Sequence, residues 1–581
     1  MQRLVLSILG IFFTISVLWA QWSSDSLQNT PIIVYSGSQV VPKIQATSDG
    51  GCYISWYDNR NGNYDMYLQR LNPQGEKMWA TDGLLISNHA QESWITDYDL
   101  AVDQNDNAIL VFNDLRNGSD NGWDVFAYKI SPSGQFLWGP DGIGLSPTVN
   151  SESEMSPKVV VTTAGNYVFA WTRSASQDEV ALQKLSSDGQ KLWGTDGLTI
   201  IGQQSGSASH PRLIAAKNDS IIVLWKNTVG SYPATKTFLF VQKIAPGGTF
   251  AWGSNGINIY NTGNISSYYN PVMCSDANSG AFVAWEEQPT ISESYVSVIH
   301  VNADGSLGYP LNGIKTATNS TQMHWKPSIT FNSVLQNLFV FWLETNSGQN
   351  QYGIYGQKLD LAGNRLWGDN GKEFIPLGGR SISFVSTAAT DTAIYVGYFQ
   401  NSAPNAYDDG VKCFLSDNDG HFIWGPVILS AASLGNKDDL VLSLNTHAQA
   451  LFAWTDMRND DDGDIYAQDI NPDGTLGLLS AGIASEDLVP KYMLLSQNFP
   501  NPFNPVTTIE YRVPDGGSAL RHVRLSLYDV KGRFIRHLLN ADQPAGTYRY
   551  VFRAENLPSG LYFYVLQVGS QKQTRKMILL K

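Results

Sequence analysis

Two ladders of residues run in step through most of this 581-residue chain. The first is a hairpin whose clearest copy reads Gly189-Gln-Lys-Leu-Trp193-Gly-Thr-Asp-Gly197. Its leading glycines are Gly75, Gly134, Gly189, Gly248, Gly305, Gly363, Gly420 and Gly474, spaced 54 to 59 residues apart with a mean of 57. Four residues on stand Trp79, Trp138, Trp193, Trp252, Tyr309, Trp367, Trp424 and Leu478. A second glycine follows at 83, 142, 197, 256, 313, 371 and 482; the seventh copy has Ile428 instead. The other ladder is an apolar run ending on Trp56, Phe112, Trp171, Trp225, Trp285, Trp342, Tyr398 and Trp454. Two phases locked over eight copies mean stacked units, each too small to bury its apolar side alone.

Each unit reads as four short strands. The first opens just after a proline in five copies (Pro42, Pro157, Pro211, Pro271, Pro327), where no ladder donor is needed. A turn rich in Asp, Asn and Gly leads to the apolar second strand. The third alternates with period two, as in Asp65-Met-Tyr-Leu-Gln-Arg-Leu71. The Gly…Trp…Gly hairpin turns into the fourth. This predicts an all-β chain: an eight-bladed β-propeller over residues 21–486, followed by a small immunoglobulin-like sandwich. A propeller must close, because open sheet edges pair with wrong partners. Pro31-Ile-Ile-Val-Tyr-Ser36 is expected to complete the last blade; Gly482-Ile-Ala-Ser485 is the rival.

Residues 1–20 read as a cleaved secretory signal: Arg3, an apolar run from Leu4 to Leu18, then Trp19-Ala20 before a polar stretch. Cys52, Cys274 and Cys413 are sparse, odd in number and far apart. They predict buried small hydrophobes rather than a disulfide framework. Residues 21–490 carry a net −23, whereas residues 491–581 carry +8. An acidic body disfavours nucleic acid as a partner.

After a linker at 487–491, residues 492–581 alternate as strands between turns such as Asp529-Val-Lys-Gly532. Gln497-Asn-Phe-Pro-Asn501-Pro502-Phe503-Asn504-Pro505, Leu557-Pro-Ser-Gly560-Leu-Tyr-Phe-Tyr564 and Lys576-Met-Ile-Leu-Leu-Lys581 occur in order. These motifs resemble the type A C-terminal sorting domain of the type IX secretion system, itself similar to the immunoglobulin-like domain of the flagellar hook-capping protein. The resemblance implies a Gram-negative bacterial protein. It implies passage through the periplasm, recognition by the type IX machinery, and release or attachment at the cell surface. It speaks of address only.

Candidate chemistry lies in the loops between second and third strands. Asp58 and Arg60, Asp114 and Arg116, and Asp456 and Arg458 recur in units 1, 2 and 8, which a closed ring makes neighbours. One reading is a polar ligand site, Arg taking a carboxylate and Asp holding sugar hydroxyls. The plainer reading is inter-blade ion pairing that fixes the hairpin. Asp460, Asp462 and Asp464 could offer oxygens to calcium, or form a solvated acidic turn; no other cofactor is indicated. The hairpins resemble the Asp-box of sialidase-type propellers only loosely: Ser187-Asp-Gly-Gln-Lys-Leu-Trp193 differs in spacing, and half of the copies lack the aspartate. No His-Glu-x-x-His, Gly-x-Ser-x-Gly or phosphate loop is present. Two functions stay open. One is a binding or adhesion module for extracellular glycans or surface polysaccharide. The other is a propeller glycoside hydrolase or polysaccharide lyase, whose paired carboxylates need not be close in sequence.

Overall fold

The computed structural model describes residues 21–478, except 92–96, 118–121, 147–151, 232–233, 266–269 and 291. It also describes 494–580, except 496, 499–500, 514–520, 544–545, 555–556 and 570. The expected signal, the segment Gly482–Ser485 and the linker lie outside these. Two compact units divide the chain, residues 1–478 and 479–581. Among the described residues there is no α-helix, and no helix long and apolar enough to cross a membrane.

The first unit contains eight four-stranded antiparallel sheets among its described residues. Seven are built from consecutive strands, beginning at Gln39, Asp99, Glu154, Ser207, Val272, Gln322 and Ile382. The eighth takes three strands from Lys437–Ile470 and its fourth from Thr30–Ile33, which pairs antiparallel with Asp464–Ile470. The first strand of each sheet packs against that of the next, and the eighth sheet's against the first sheet's. Second strands such as Cys52–Asp58 and Ala450–Asp456 are buried along their whole length. First strands such as Gln39–Ala46 and Ile382–Ala389 are only half-buried. The first strands therefore line the space that the ring of sheets encloses, and the apolar second strands supply the walls.

The two sequence ladders meet in the packing. Six aromatics of the second-strand ladder, Trp56, Trp171, Trp225, Trp285, Trp342 and Trp454, are at most 1% exposed. Over four of them lies the second hairpin glycine, at positive φ. A Cβ on Gly83, Gly256, Gly313 or Gly371 would stand 2.5–2.8 Å from the ring of Trp56, Trp225, Trp285 or Trp342. The hairpin aromatic points the other way, onto the leading glycine of the following sheet: Trp79 under Gly134, Trp193 under Gly248, Tyr309 under Gly363 and Trp424 under Gly474. Its polar tip donates to a carbonyl there, from Trp79 to Pro132 (3.2 Å), Trp193 to Pro246 (3.0 Å) and Trp424 to Pro472 (3.0 Å). Each unit thus wedges its neighbour.

The eighth copy has Leu478 where the aromatic belongs, and Leu478 is exposed. Trp22 takes that role at the first sheet. It is 4% exposed, lies against Gly75, and donates Nε1–H to the Pro73 carbonyl at 3.2 Å. The seventh copy, with Ile428 for glycine, has no sharp re-entry into its fourth strand. Phe422–Ser430 runs as one continuous strand.

The prolines correct one expectation. Pro42, Pro157, Pro211 and Pro327 lie inside first strands that begin earlier, at Gln39, Glu154, Ser207 and Gln322. Each directly follows a residue at positive φ (Val41, Ser156, His210, Lys326), where the register shifts. A bulge leaves one residue out of the ladder, so a proline there forfeits no hydrogen bond. The three cysteines are unpaired; Cys52 and Cys413 are buried and Cys274 is half-buried.

Gly256 (φ +68°) and Gly253 (φ +85°) separate two costs of the hairpin. Gly253→Ala meets no atom within 4 Å and is expected to cost about 1–2 kcal/mol for the left-handed backbone alone. Gly256→Ala also drives a Cβ into Trp225 and the Val241 carbonyl, both 2.7 Å away, adding about 1–3 kcal/mol. Urea denaturation of the two variants checks the difference; equal losses would mean that the hairpin gives way.

The second unit packs two antiparallel sheets. Leu494–Leu495, Val506–Val513 and Gly546–Arg553 form one; Phe534–Gln543, Arg521–Asp529, Gly560–Val568 and Gln571–Leu579 form the other. Ile509, Tyr511 and Val513 from the first meet Leu525, Leu527, Tyr564 and Leu566 from the second in one core.

Candidate functional site

The recurring Asp and Arg residues are brought together, but within each loop rather than between sheets. Arg60 grips Asp58 with Nε (2.8 Å) and Nη2. Arg116 grips Asp114 at 2.9 and 2.6 Å, and Arg458 grips Asp456 at 3.0 and 2.6 Å. The aspartates are at most 1% exposed. Each guanidinium lies over a third-strand ring: Tyr67 at 4.4 Å, Phe126 at 3.5 Å and Tyr466 at 3.9 Å. Where the preceding aromatic is tryptophan, its Nε1–H also donates to the aspartate, at 2.9 Å for Trp56 and 2.7 Å for Trp454. Bidentate, stacked and buried pairs of this kind hold loop geometry. Their oxygens and N–H groups are spent inside the protein. Across sheets, Arg458 also donates to Asn29 (2.7 Å) and Ser430 (3.2 Å), and the Arg60 guanidinium lies 4.8 Å over the ring of Tyr35, just beyond the eighth sheet's Thr30–Ile33 strand.

Sequence reading missed the asparagine after each arginine. Asn61, Asn117 and Asn459 donate to Asp65, Asp124 and Asp464 across the loop, at 3.1, 2.6 and 2.7 Å. Its recurrence in all three copies was the available signal. Burial pushes the carboxyls of Asp65, Asp124 and Asp464 up, against these hydrogen bonds.

The acidic turn does not gather its carboxylates. Asp464 is buried and accepts from the Tyr35 amide (3.1 Å). Asp460 accepts from the amides of Asp462 and Gly463 (3.1 and 3.2 Å) and Asp462 is exposed. Among the described residues no group of three or more His, Cys, Asp or Glu is arranged to hold a metal ion.

The enclosed space carries a second constellation, which the sequence reading did not single out. Registering each first strand on its second strand aligns Lys43, Asp99, Lys158, Arg212, Val272, Ser328, Ser386 and Val441 opposite the residue preceding the second-strand aromatic. Sheets one to four contribute charged groups; sheets five to eight contribute small or apolar ones. Asp97 bridges three sheets, accepting from Lys43 (2.8 Å) with one oxygen and from Lys158 with the other. Burial alone would raise the Asp97 carboxyl, but the two ammoniums outweigh it and hold it far below the usual carboxylate range. Lys226 of the fourth sheet donates to the Asn270 side chain at 3.2 Å. On the eighth sheet, burial and Asp438 push Asp439 up to about 6. A signal existed here too: Lys43, Lys158 and Arg212 each directly follow the bulge proline.

In the second unit, segments from both ends of the tail converge. Asn501 accepts from the Ile578 amide (2.8 Å), the Phe503 amide donates to the Ile578 carbonyl (3.0 Å), and Leu580 donates back to Phe503 (3.0 Å). Phe503 is 3% exposed. The Pro505 carbonyl accepts from Ala554 (2.9 Å). Pro502, Asn504, Gly560 and Lys576 are exposed, Gly560 pairing with Leu579 at the strand end.

Residues 497–580 match the family described as the secretion system C-terminal sorting domain. The tail is a type IX sorting domain, and it marks a protein exported to the cell surface or released. No curated protein matches the chain. Among solved structures, a protein of unknown function from Dyadobacter fermentans is 10% identical, with a TM-score of 0.33 over 56% of this chain and 95% of its own. The Penicillium chrysogenum alpha-L-arabinanase complexed with arabinobiose is 9% identical, with a TM-score of 0.31 over 54% and 92%. The endo-arabinase from Bacteroides thetaiotaomicron is 10% identical, with a TM-score of 0.29 over 47% and 95%.

Proposed function

We propose that this chain is an exported eight-bladed β-propeller carried to the cell surface by an immunoglobulin-like sorting tail, and that the propeller binds extracellular glycan in its channel. One observation carries the reading: the half-buried first strands place Lys43, Asp99, Lys158 and Arg212 at one level beside the enclosed space, whereas the loop Asp–Arg pairs are closed on themselves. A channel wall with fixed hydrogen-bonding groups suits a polyhydroxylated ligand. The loop pairs act as clamps that keep the second and third strands in register. The hydrolase or lyase reading rests on Asp439, a carboxyl raised enough to serve as a general acid, and needs an ionised partner across the ligand.

The mature chain, residues 21–581, applied to a glycan array, is expected to retain a subset of polysaccharides without creating reducing ends or unsaturated products. New ends on a retained glycan would replace the binding reading with the enzymatic one. Retention of no glycan would sink both.

A further inference from the structure

We propose that the fourth sheet presents an anion site to the channel, formed by Arg212 and Lys226, which takes the carboxylate of an acidic saccharide. The proposal rests on the channel-binding reading and specifies the chemistry of what binds there.

The two residues stand on adjoining strands. Arg212 follows the bulge at His210-Pro211 in Ser207–Ala215. Lys226 lies on the second strand, opposite Ser209. Other cations of the channel have acids: Lys43 and Lys158 share Asp97. Neither Arg212 nor Lys226 has a carboxylate within ion-pair distance among the described residues. Lys226 is 6% exposed, and its hydrogen-bond partner is the neutral side chain of Asn270. Arg212 is half-buried and its guanidinium donates no hydrogen bond among the described residues. The undescribed segment next to Asn270, residues 266–269, reads Ser-Ser-Tyr-Tyr and holds no acid.

Two cations in a partly dehydrated wall repel each other and each loses hydration. Burial first, and then Arg212, pulls Lys226 down to about 8. Burial and the cations Lys226, Arg212 and Lys158 pull His210 down to about 4, so it is neutral at pH 7. An anion seated between Arg212 and Lys226 relieves both penalties. A planar fork and an ammonium together fit a carboxylate. Arg212 is the more exposed of the two, so a carboxylate projecting from a threaded saccharide would meet it first.

The test uses the mature full chain and three probes: an oligogalacturonide, its methyl ester and a sulfated oligosaccharide of similar length. Calorimetry at pH 7 is expected to show the oligogalacturonide bound at least about tenfold more tightly than its ester. Arg212→Gln is expected to remove about tenfold or more of that affinity, the usual scale for losing a charged hydrogen bond, with an unchanged thermal transition. Lys226 loses its charge as pH rises through about 8, so affinity is expected to fall between about pH 7 and pH 9.5. Arg212 and His210 stand beside it; His210, pulled down to about 4, is neutral throughout that window, and Lys158, near His210, is itself lowered by burial. Lys226→Arg is expected to abolish the fall. Equal affinity for acid and ester, or indifference to Arg212→Gln, overturns the anion site while leaving glycan binding intact. Preference for the sulfated probe overturns the carboxylate assignment, and binding of no saccharide overturns both readings.

Discussion

Removing residues 21–33 is expected to abolish the single cooperative unfolding transition of the first unit and to leave a species that self-associates. That segment supplies the fourth strand of the eighth sheet, with Ile32 and Ile33 at most 2% exposed, and the wedge Trp22. Without it the strand Asp464–Ile470 becomes an unpaired edge, a template for pairing between chains. The loss also strips Gly75 of its aromatic cover and opens the seam between last and first sheets. The milder variant Trp22→Ala keeps the strand and removes only the wedge. It is expected to cost about 3–5 kcal/mol, as for other buried large-to-small changes. Urea denaturation followed by tryptophan fluorescence reads the second, and sedimentation reads the first. A monomeric, cooperatively folded deletion would mean that the ring does not depend on its amino-terminal seam.

Deletion of residues 492–581 is expected to trap the folded first unit in the periplasm, lowering the surface and released fractions by at least about tenfold. The tail carries the sorting domain, and its motifs are held together by the fold. The Asn501–Pro505 segment is stitched to the last strand through Phe503, Ile578 and Leu580. Phe503→Asp places a charge in the core that Phe503 shares with Phe552 and Leu579. An unpaired buried charge destabilises strongly, so this point change is expected to reproduce the deletion. Cell fractionation and immunoblotting distinguish the outcomes; normal export of the deleted chain would remove the tail's assigned role.

The period showed the repeating strands because it reflects backbone geometry and burial, which every unit must satisfy alike. The glycines of the hairpin and the second-strand aromatics stand at the same phase in nearly every copy, so their register was legible. The recurrence of Asp58–Arg60, Asp114–Arg116 and Asp456–Arg458 was equally visible. That each arginine closes back on the aspartate two residues before it, and stacks on the third-strand ring, was not. Sequence spacing places both side chains in one loop without saying whether they face solvent or each other. Proline positions misled in one respect. A proline is compatible with a strand's start and with a bulge, and only the register distinguishes the two.

Sequence alone therefore determined the all-β character, the repeat and its phase, and the address written in the tail, because these follow from local pattern repeated along the chain. The tertiary structure alone decided that Trp22 replaces the aromatic missing at Leu478, that Asp97 joins Lys43 to Lys158, and that Arg212 and Lys226 stand without an acid among the described residues. These depend on which side chains meet across neighbouring sheets. There, equivalent positions hold different residues, and repulsion, pairing and steric fit are set by segments tens to hundreds of residues apart.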